Sequence, residues 1–135
     1  MSCLFVSLAH FVENMDATRL RKMIVDYLEK DPILIADSLK FSDVLKWEDE
    51  SISKELYLYH MNMESTWGGA IEIRAFCNLF QSRVAVVLAC GEEILFEPFL
   101  EEDSNEKNNK LENKELPLLK ISWLGNHYEP YNSQK

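Results

Sequence analysis

Apolar residues recur every three to four positions over the first third of the chain, which indicates helices packed against a core. The first such run predicts a helix over residues 3–13. Asp16 is a favourable N-cap for a second helix, because its carboxylate can accept a hydrogen bond from a backbone amide of the first turn. We expect an apolar side of that helix to face the core and a cationic side to face water: Leu20, Met23, Ile24, Tyr27 and Leu28 against Arg19, Arg21 and Lys22.

The middle of the chain continues as short helices separated by breaks. Trp67, Gly68 and Gly69 interrupt the pattern, and an amphipathic helix is predicted after them over residues 70–80. Upstream, residues 33–63 predict a string of helical pieces: 34–39, 42–47 and 51–63.

The period of the pattern changes after residue 82. Residues 101–115 carry nine charges, four asparagines and one leucine, which predicts a solvated, mobile loop. Around that loop, β-rich runs predict strands over 83–89, 94–98 and 118–124, and a returning strand over 127–130. Helices thus precede strands, an α+β order with helices packed on one small, mostly antiparallel sheet.

Length and charge narrow the class of protein. The 135 residues, 47% of them hydrophobic, predict a single domain over residues 1–135. No apolar run reaches the length of about 18 residues that a membrane helix needs, and the first residues lack the features of a signal peptide. A net charge of −9 disfavours nucleic-acid and anionic-membrane partners and favours a basic partner.

The cysteines indicate a reducing environment. Cys3, Cys77 and Cys90 are odd in number and widely spaced, so we expect reduced thiols and a cytoplasmic location. Cysteine and histidine residues are too scattered for a ligand cluster, so we expect neither a metal nor a cofactor.

Cys3 and His127 are the candidates for chemistry. Cys3 lies in the first turn of a predicted helix, where unpaired amides and the helix dipole favour a thiolate and can bind an oxyanion. Trp123 and Tyr128 are close to His127 in sequence and can hold its ring and partly exclude water from it. Glu129 projects from the same strand face and can orient the imidazole. The alternatives are a small packing residue for Cys3, a polar strand-end residue for His127 and a solvated carboxylate for Glu129.

Trp67, Gly68 and Gly69 allow two interpretations. A tryptophan beside two glycines suits a narrow groove in which an extended peptide passes close to the backbone, and it also suits a simple lead-in to the next helix. Glu72, in the first turn of that helix, is interpreted as structural, because a carboxylate there is favoured by the helix dipole.

Three blocks of sequence together resemble the ovarian tumour (OTU) family of cysteine proteases, which are deubiquitinases. They are Cys3-Leu4-Phe5-Val6-Ser7-Leu8-Ala9, Trp67-Gly68-Gly69-Ala70-Ile71-Glu72-Ile73-Arg74-Ala75, and Trp123 with His127-Tyr128. The resemblance implies a papain-like OTU fold with the nucleophile at a helix N-terminus. It also implies Cys3 as nucleophile, His127 as general base and later acid, and Glu129 where the family usually has Asp or Asn.

The resemblance further implies a substrate. Ubiquitin or polyubiquitin, or a ubiquitin-like modifier, is the expected partner of a monomeric enzyme that cleaves the isopeptide or peptide bond after the C-terminal glycine. The Arg-rich tail of ubiquitin is expected to enter a groove near Trp67, Gly68, Gly69, Trp123 and Asn126. Glu64 is a candidate partner for a tail arginine or, alternatively, a solvated helix-end carboxylate. The body of ubiquitin is expected to contact the 33–63 segment through Leu39, Phe41 or nearby apolar residues.

Two departures from the family pattern keep other functions open. The family usually reads Asp-Gly-x-Cys, whereas Met1 and Ser2 alone precede Cys3 here, as if the chain began unusually late or its reading frame were shortened. Glu129 is one methylene longer than Asp and is expected to hold the ring less rigidly. The alternatives are a catalytically weak or inactive ubiquitin-binding module, and a structural interaction domain in which Cys3 and His127 never meet. The compact length resembles viral members, which implies action inside a host cell against its immune response.

Overall fold

The computed structural model describes residues 3–35, 39–48, 50–99, 116–125 and 127–131. The predicted loop over 101–115 and Asn126 lie outside these residues. In chain order the elements are α1 (Cys3–Ala9), α2 (Ala17–Glu29), β1 (Ile33–Ile35), β2 (Leu39–Lys40), α3 (Phe41–Glu48), α4 (Lys54–Met61), α5 (Ala70–Phe80), β3 (Arg83–Leu88), β4 (Glu93–Phe96), β5 (Leu118–Trp123) and β6 (Tyr128–Pro130).

The main sheet has four strands in the order β4-β3-β5-β6. Its central strands β3 and β5 are parallel, with Val84 opposite Leu119, and the two outer pairings are antiparallel. Val84, Ala85 and Val86 of β3 are buried, as expected for a central strand covered on both faces. The α+β order and the mostly antiparallel sheet are therefore confirmed.

Helices cover this sheet and join it to the N-terminal part of the fold. α5 packs on β3 and β4, α2 packs on α1, α4 and α5, and α1 packs on β6. The largest fully buried side chains come from most of these elements: Phe5, Phe41, Phe76, Leu4, Leu8, Leu20, Ile24, Leu28, Leu34, Ile71, Ile73 and Ile121. One core thus connects the first helix with the last strand.

Local sequence rules predict several element boundaries well. Asp16 caps α2 by accepting a hydrogen bond from the Arg19 amide at 2.8 Å, and α5 has its predicted bounds. α1 ends earlier than predicted, at Ala9, because the chain tightens after it: the amides of Phe11 and Val12 donate to carbonyls three residues back, not four.

The helix predicted over 34–39 is wrong. β1 and β2 form a separate two-stranded antiparallel pair there, so the chain has a second small sheet. The β-branched residues Ile33 and Ile35 favour a strand, and a short apolar run does not distinguish helix from strand by periodicity. The Asn78 side chain of α5 donates a hydrogen bond to the Ile33 carbonyl at 3.0 Å and so holds β1 in place.

The predicted polar side of α2 is also wrong at one position. Arg21 is only 2% exposed, whereas Met23, predicted to face inward, is 38% exposed. The Arg21 guanidinium is buried because backbone carbonyls from a distant segment accept its hydrogen bonds. None of the helices in the described ranges is long and apolar enough to cross a bilayer.

Candidate active site

Cys3 is the first residue of α1 and is half-buried. The helix is fixed by its apolar side, since Leu4, Phe5 and Leu8 are at most 1% exposed. The backbone amide of Tyr128 donates a hydrogen bond to the Cys3 Sγ at 3.5 Å. An amide donor of this kind stabilises a thiolate, so β6 contributes directly to the environment of the sulfur.

His127 precedes β6, and its imidazole contacts Glu129. The Nε2 atom of His127 lies 3.1 Å from Oε2 of Glu129, and both residues flank Tyr128, whose amide contacts the sulfur. The carbonyl of His127 accepts a hydrogen bond from Leu124 at 3.0 Å, which closes the turn between β5 and β6. The His127 and Glu129 side chains are 42% and 51% exposed, so solvent screens the pair, and its main effect is on ring orientation.

Aromatic rings connect this strand to the Trp67 segment. Trp123 lies against Tyr128 with ring centroids 4.7 Å apart, and Trp67 meets Trp123 edge to face at 6.5 Å. Trp67 remains 47% exposed. Trp67 and Trp123, both predicted to border a groove, are therefore neighbours next to the Cys3 and His127 segments.

The two glycines after Trp67 have different surroundings. A Cβ atom on Gly68 would lie 2.7 Å from Leu4 Cδ2 and 3.0 Å from Phe5 Cε2, so α1 occupies the space that a side chain would need. A Cβ atom on Gly69 would meet nothing within 4 Å. Gly68 therefore allows close packing of its segment on the nucleophile helix, and Gly69 leaves an open surface.

Glu64 lies at the surface on the α2 side of the fold. Its Oε1 atom accepts a hydrogen bond from the Thr18 hydroxyl at 3.1 Å, and its backbone carbonyl accepts one from Arg21 at 3.2 Å. Its predicted contact with an arginine of a substrate stays a prediction. The same holds for Asn126, which lies outside the described residues.

Glu72 is a functional candidate whose burial the sequence pattern does not indicate. Its side chain is 1% exposed and accepts hydrogen bonds from the Gly69 amide at 2.7 Å and from the Tyr57 hydroxyl. Burial raises the pKa of Glu72 to about 7 and also raises the pKa of Tyr57. The Gly-x-x-Glu spacing, which is half of a capping box, indicates the amide contact but not the burial.

A cavity of about 360 Å³ lies between α4 and the start of α5. Glu48, Tyr57, His60, Trp67 and Gly69 are among the residues that line it. Within the described ranges, His, Cys, Asp and Glu side chains form no cluster that could hold a metal ion.

Comparisons with known proteins point to one family. A model of the OTU-like cysteine protease family matches residues 2–128. Ubiquitin thioesterase OTU1 of Mus musculus is 29% identical over 91 residues, which cover 64% of this chain and 24% of that protein. The chain thus matches about a quarter of the length of this relative.

Solved structures share the fold at low identity. An OTU domain in complex with ubiquitin has a TM-score of 0.62 and 20% identity, with 99% of this chain and 70% of that chain covered. The viral OTU domain protease from Dera Ghazi Khan virus has a TM-score of 0.63 and 13% identity, with 96% and 72% covered. The expected papain-like OTU fold is confirmed, and with residues 2–128 matched to the family, the chain belongs to the OTU-like cysteine proteases.

Proposed function

We propose that this chain is a cysteine deubiquitinase. It hydrolyses the isopeptide or peptide bond after the C-terminal glycine of ubiquitin, or of a ubiquitin-like modifier, and so removes the modifier from conjugates. The observation that carries this proposal is the 3.5 Å hydrogen bond from the Tyr128 amide to Cys3 Sγ, directly beside the His127–Glu129 pair. The family match and the complex of a similar OTU domain with ubiquitin support it.

The mechanism assigns each nitrogen of His127 a role. Glu129 engages Nε2, so Nδ1 is the nitrogen that takes the proton from the Cys3 thiol. The thiolate attacks the carbonyl carbon of the terminal glycine, and the protonated imidazole returns its proton to the departing lysine amine. This forms a thioester on Cys3. Water, deprotonated by His127, then hydrolyses the thioester and regenerates the thiol.

The substrate tail runs past Trp67 and the open side of Gly69. The exposed face of Trp67 and the edge-to-face contact with Trp123 supply an apolar wall, and Gly69 offers backbone without a side chain in the way. Glu64 is the acidic candidate for an arginine of the tail. The net charge of −9 steers a basic tail toward the protein.

The body of ubiquitin contacts the helical segment before Trp67. Phe41 is 0% exposed and cannot touch a partner, so its predicted role is wrong. Leu39 is half-buried. Leu56 and Tyr59, spaced on one side of α4, are 46% and 64% exposed, so we assign the contact to them.

A catalytically weak ubiquitin-binding module is the second candidate function. The solvent exposure of both His127 and Glu129 favours it, because an exposed carboxylate orients a ring less firmly than a buried one. The Cys3–Tyr128 hydrogen bond argues against a purely structural domain, since it brings α1 against the strand that follows His127. We place either function on a monomer in a reducing, cytoplasmic setting, that of the host cell if the protein is viral.

A ubiquitin carrying a C-terminal electrophile tests the proposal. The wild-type protein is expected to form a covalent adduct at Cys3, and Cys3→Ala is expected to form none. Cys90→Ala is the matched control, because Cys90 is an exposed free thiol outside the site and its loss should leave labelling unchanged.

Diubiquitins of every linkage then measure turnover and linkage preference. Cleavage by Cys3→Ala at the wild-type rate would refute the mechanism. Binding of ubiquitin without an adduct on the wild-type protein would establish the binding module instead.

A further inference from the structure

Arg21 joins two parts of the site that are far apart in sequence. Its side chain is 2% exposed within α2. Its Nη1 atom donates a hydrogen bond to the carbonyl of Met61 at 2.8 Å, and its Nη2 atom donates to the carbonyls of Glu64 at 3.2 Å and Thr66 at 2.8 Å. One guanidinium therefore holds the chain that leads from the end of α4 to Trp67.

The same guanidinium lies over a side chain of the nucleophile helix. Arg21 Cζ is 4.2 Å from the centre of the Phe5 ring, a cation–π distance. Phe5 is fully buried and lies two residues after Cys3. Gly68 packs against the same ring, since a Cβ atom on it would lie 3.0 Å from Phe5 Cε2 and 3.1 Å from Phe5 Cζ. Phe5 is thus in contact with both Arg21 and the segment that Arg21 holds.

Glu72 anchors the downstream end of this segment. It accepts the hydrogen bond of the Gly69 amide from within α5. Burial lowers the pKa of Arg21, and the charges of Glu72 and Glu64 oppose that effect. Residues 64–69, which we call the groove segment, are therefore held by a buried cation at one end and a buried carboxyl at the other.

We propose that Arg21 is a positioning residue that fixes the groove segment relative to the nucleophile helix. This rests on the proposed function, in which the groove segment receives the tail of ubiquitin. Burying a cation is costly unless its donors are satisfied, and a planar fork with several donors satisfies separate carbonyls where a lysine ammonium does not. Arg21 therefore governs how well the site engages ubiquitin, and it leaves the chemical reactivity of the Cys3 thiol unchanged.

Arg21→Lys with Arg19→Lys as control tests this role. Arg19 lies on the same helix, is exposed, and donates to the Asn14 carbonyl at 2.8 Å, so the control makes the same chemical change outside the groove segment. Two rates are compared on folded protein: labelling of Cys3 by the ubiquitin electrophile and alkylation of Cys3 by iodoacetamide. Iodoacetamide is a small reagent that reacts with the thiol without binding to the groove segment.

Arg21→Lys is expected to slow labelling by the ubiquitin electrophile about tenfold, the effect of one or two lost hydrogen bonds, and to leave alkylation within about twofold of wild type. Hydrogen exchange should rise in the groove segment and stay unchanged in the middle of α5. Arg19→Lys should match the wild type in all three measurements. If Arg21→Lys does not fold, Arg21→Gln, which leaves Phe5 in place and keeps fewer donors for the three carbonyls, is expected to give the same selective loss.

Equal labelling by Arg21→Lys and wild type would overturn the inference, and so would a parallel fall in both rates. The exchange measurement decides the matter independently of ubiquitin, since unchanged exchange over residues 64–69 would also overturn it. A wild-type protein that the ubiquitin electrophile does not label would instead refute the proposed function, while raised exchange in Arg21→Lys would still support the positioning role.

Discussion

The Oε2 atom of Glu129 lies 3.1 Å from Nε2 of His127, two residues upstream on the same face of the chain. The residue between them, Tyr128, turns its ring to Trp123 and its amide to Cys3 Sγ. In the proposed mechanism, strand alternation thus gives three consecutive residues different roles: His127 transfers the proton, Tyr128 contacts the sulfur and Glu129 orients the imidazole.

Glu129→Ala is expected to lower kcat on a fluorogenic ubiquitin substrate by about tenfold to a hundredfold, because the imidazole loses its orienting partner. KM should stay unchanged, since in the proposed mechanism Glu129 acts through His127. Glu129→Gln should lower kcat less, because its amide oxygen can still accept a hydrogen bond from Nε2 of His127. Glu93→Ala, which removes an exposed carboxylate paired with Lys120, is the control. An unchanged kcat in Glu129→Ala would mean that another group orients the ring.

Substitutions at Gly68 and Gly69 are expected to differ in their effect on stability. Gly68→Ala pushes a methyl group into Leu4 and Phe5, so the free energy of unfolding should fall by about 1–3 kcal/mol and activity should fall as α1 shifts. Gly69→Ser meets open space at an extended φ of −151° and completes a Ser-x-x-Glu capping box with Glu72, so the melting temperature should hold or rise. Thermal unfolding of both variants measures the difference. A Gly68→Ala protein as stable as wild type would contradict the packing described for α1.

Glu72 should make stability fall as pH rises toward neutrality. Its pKa is raised from 4.5 to about 7 by burial, so between these values the folded protein keeps a proton that the unfolded chain has lost. The contribution is therefore fully present below pH 4.5 and is lost as pH rises through 7, with a slope of up to about 1.4 kcal/mol per pH unit.

Glu72→Gln mimics the protonated side chain and should flatten this slope. Urea unfolding at several pH values between 4.5 and 7, and above 7, measures it. Glu55→Gln, at an exposed position in the first turn of α4, is the control. If Glu72→Gln kept the wild-type slope, another group would have to be its source.

Trp67 is expected to affect substrate binding more than folding. Trp67→Ala removes a half-exposed ring, so KM for a ubiquitin substrate should rise about tenfold while the melting temperature changes little. Trp67→Phe keeps an aromatic edge against Trp123 and should retain most of the affinity. A large loss of stability in Trp67→Ala, with KM unchanged, would place the ring in the core and not in the groove.

Contacts between residues close in sequence could be predicted, and they include much of the site. Asp16 as the cap of α2 and the approach of Glu129 to His127 follow from helix capping and strand alternation, which need only a few neighbouring residues. The resemblance of three blocks to the OTU family then placed Cys3 near His127, a relationship that spacing alone does not supply.

Contacts that depend on distant partners could not be predicted. The sequence predicts an exposed Arg21, because a cation on an amphipathic helix normally faces solvent. The carbonyls that accept its hydrogen bonds lie 40 to 45 positions away in the chain. The sequence predicts a helix over 34–39 because a short apolar run does not distinguish helix from strand by its period, and the Asn78 contact that holds β1 comes from 45 positions away. The Gly-x-x-Glu spacing predicts the hydrogen bond between Glu72 and the Gly69 amide. The burial of Glu72 involves Tyr57, which the sequence pattern does not place beside it.

The hydrogen bond between Tyr128 and Cys3 joins residues 125 positions apart. Such a contact forms late, because long-range pairing must wait until the intervening chain has collapsed and the parallel β3–β5 pair has assembled. A newly made chain therefore carries a thiol without this amide contact until β6 docks. Recovery of catalysis during refolding should consequently report completion of the whole fold, with no active partly folded species before it.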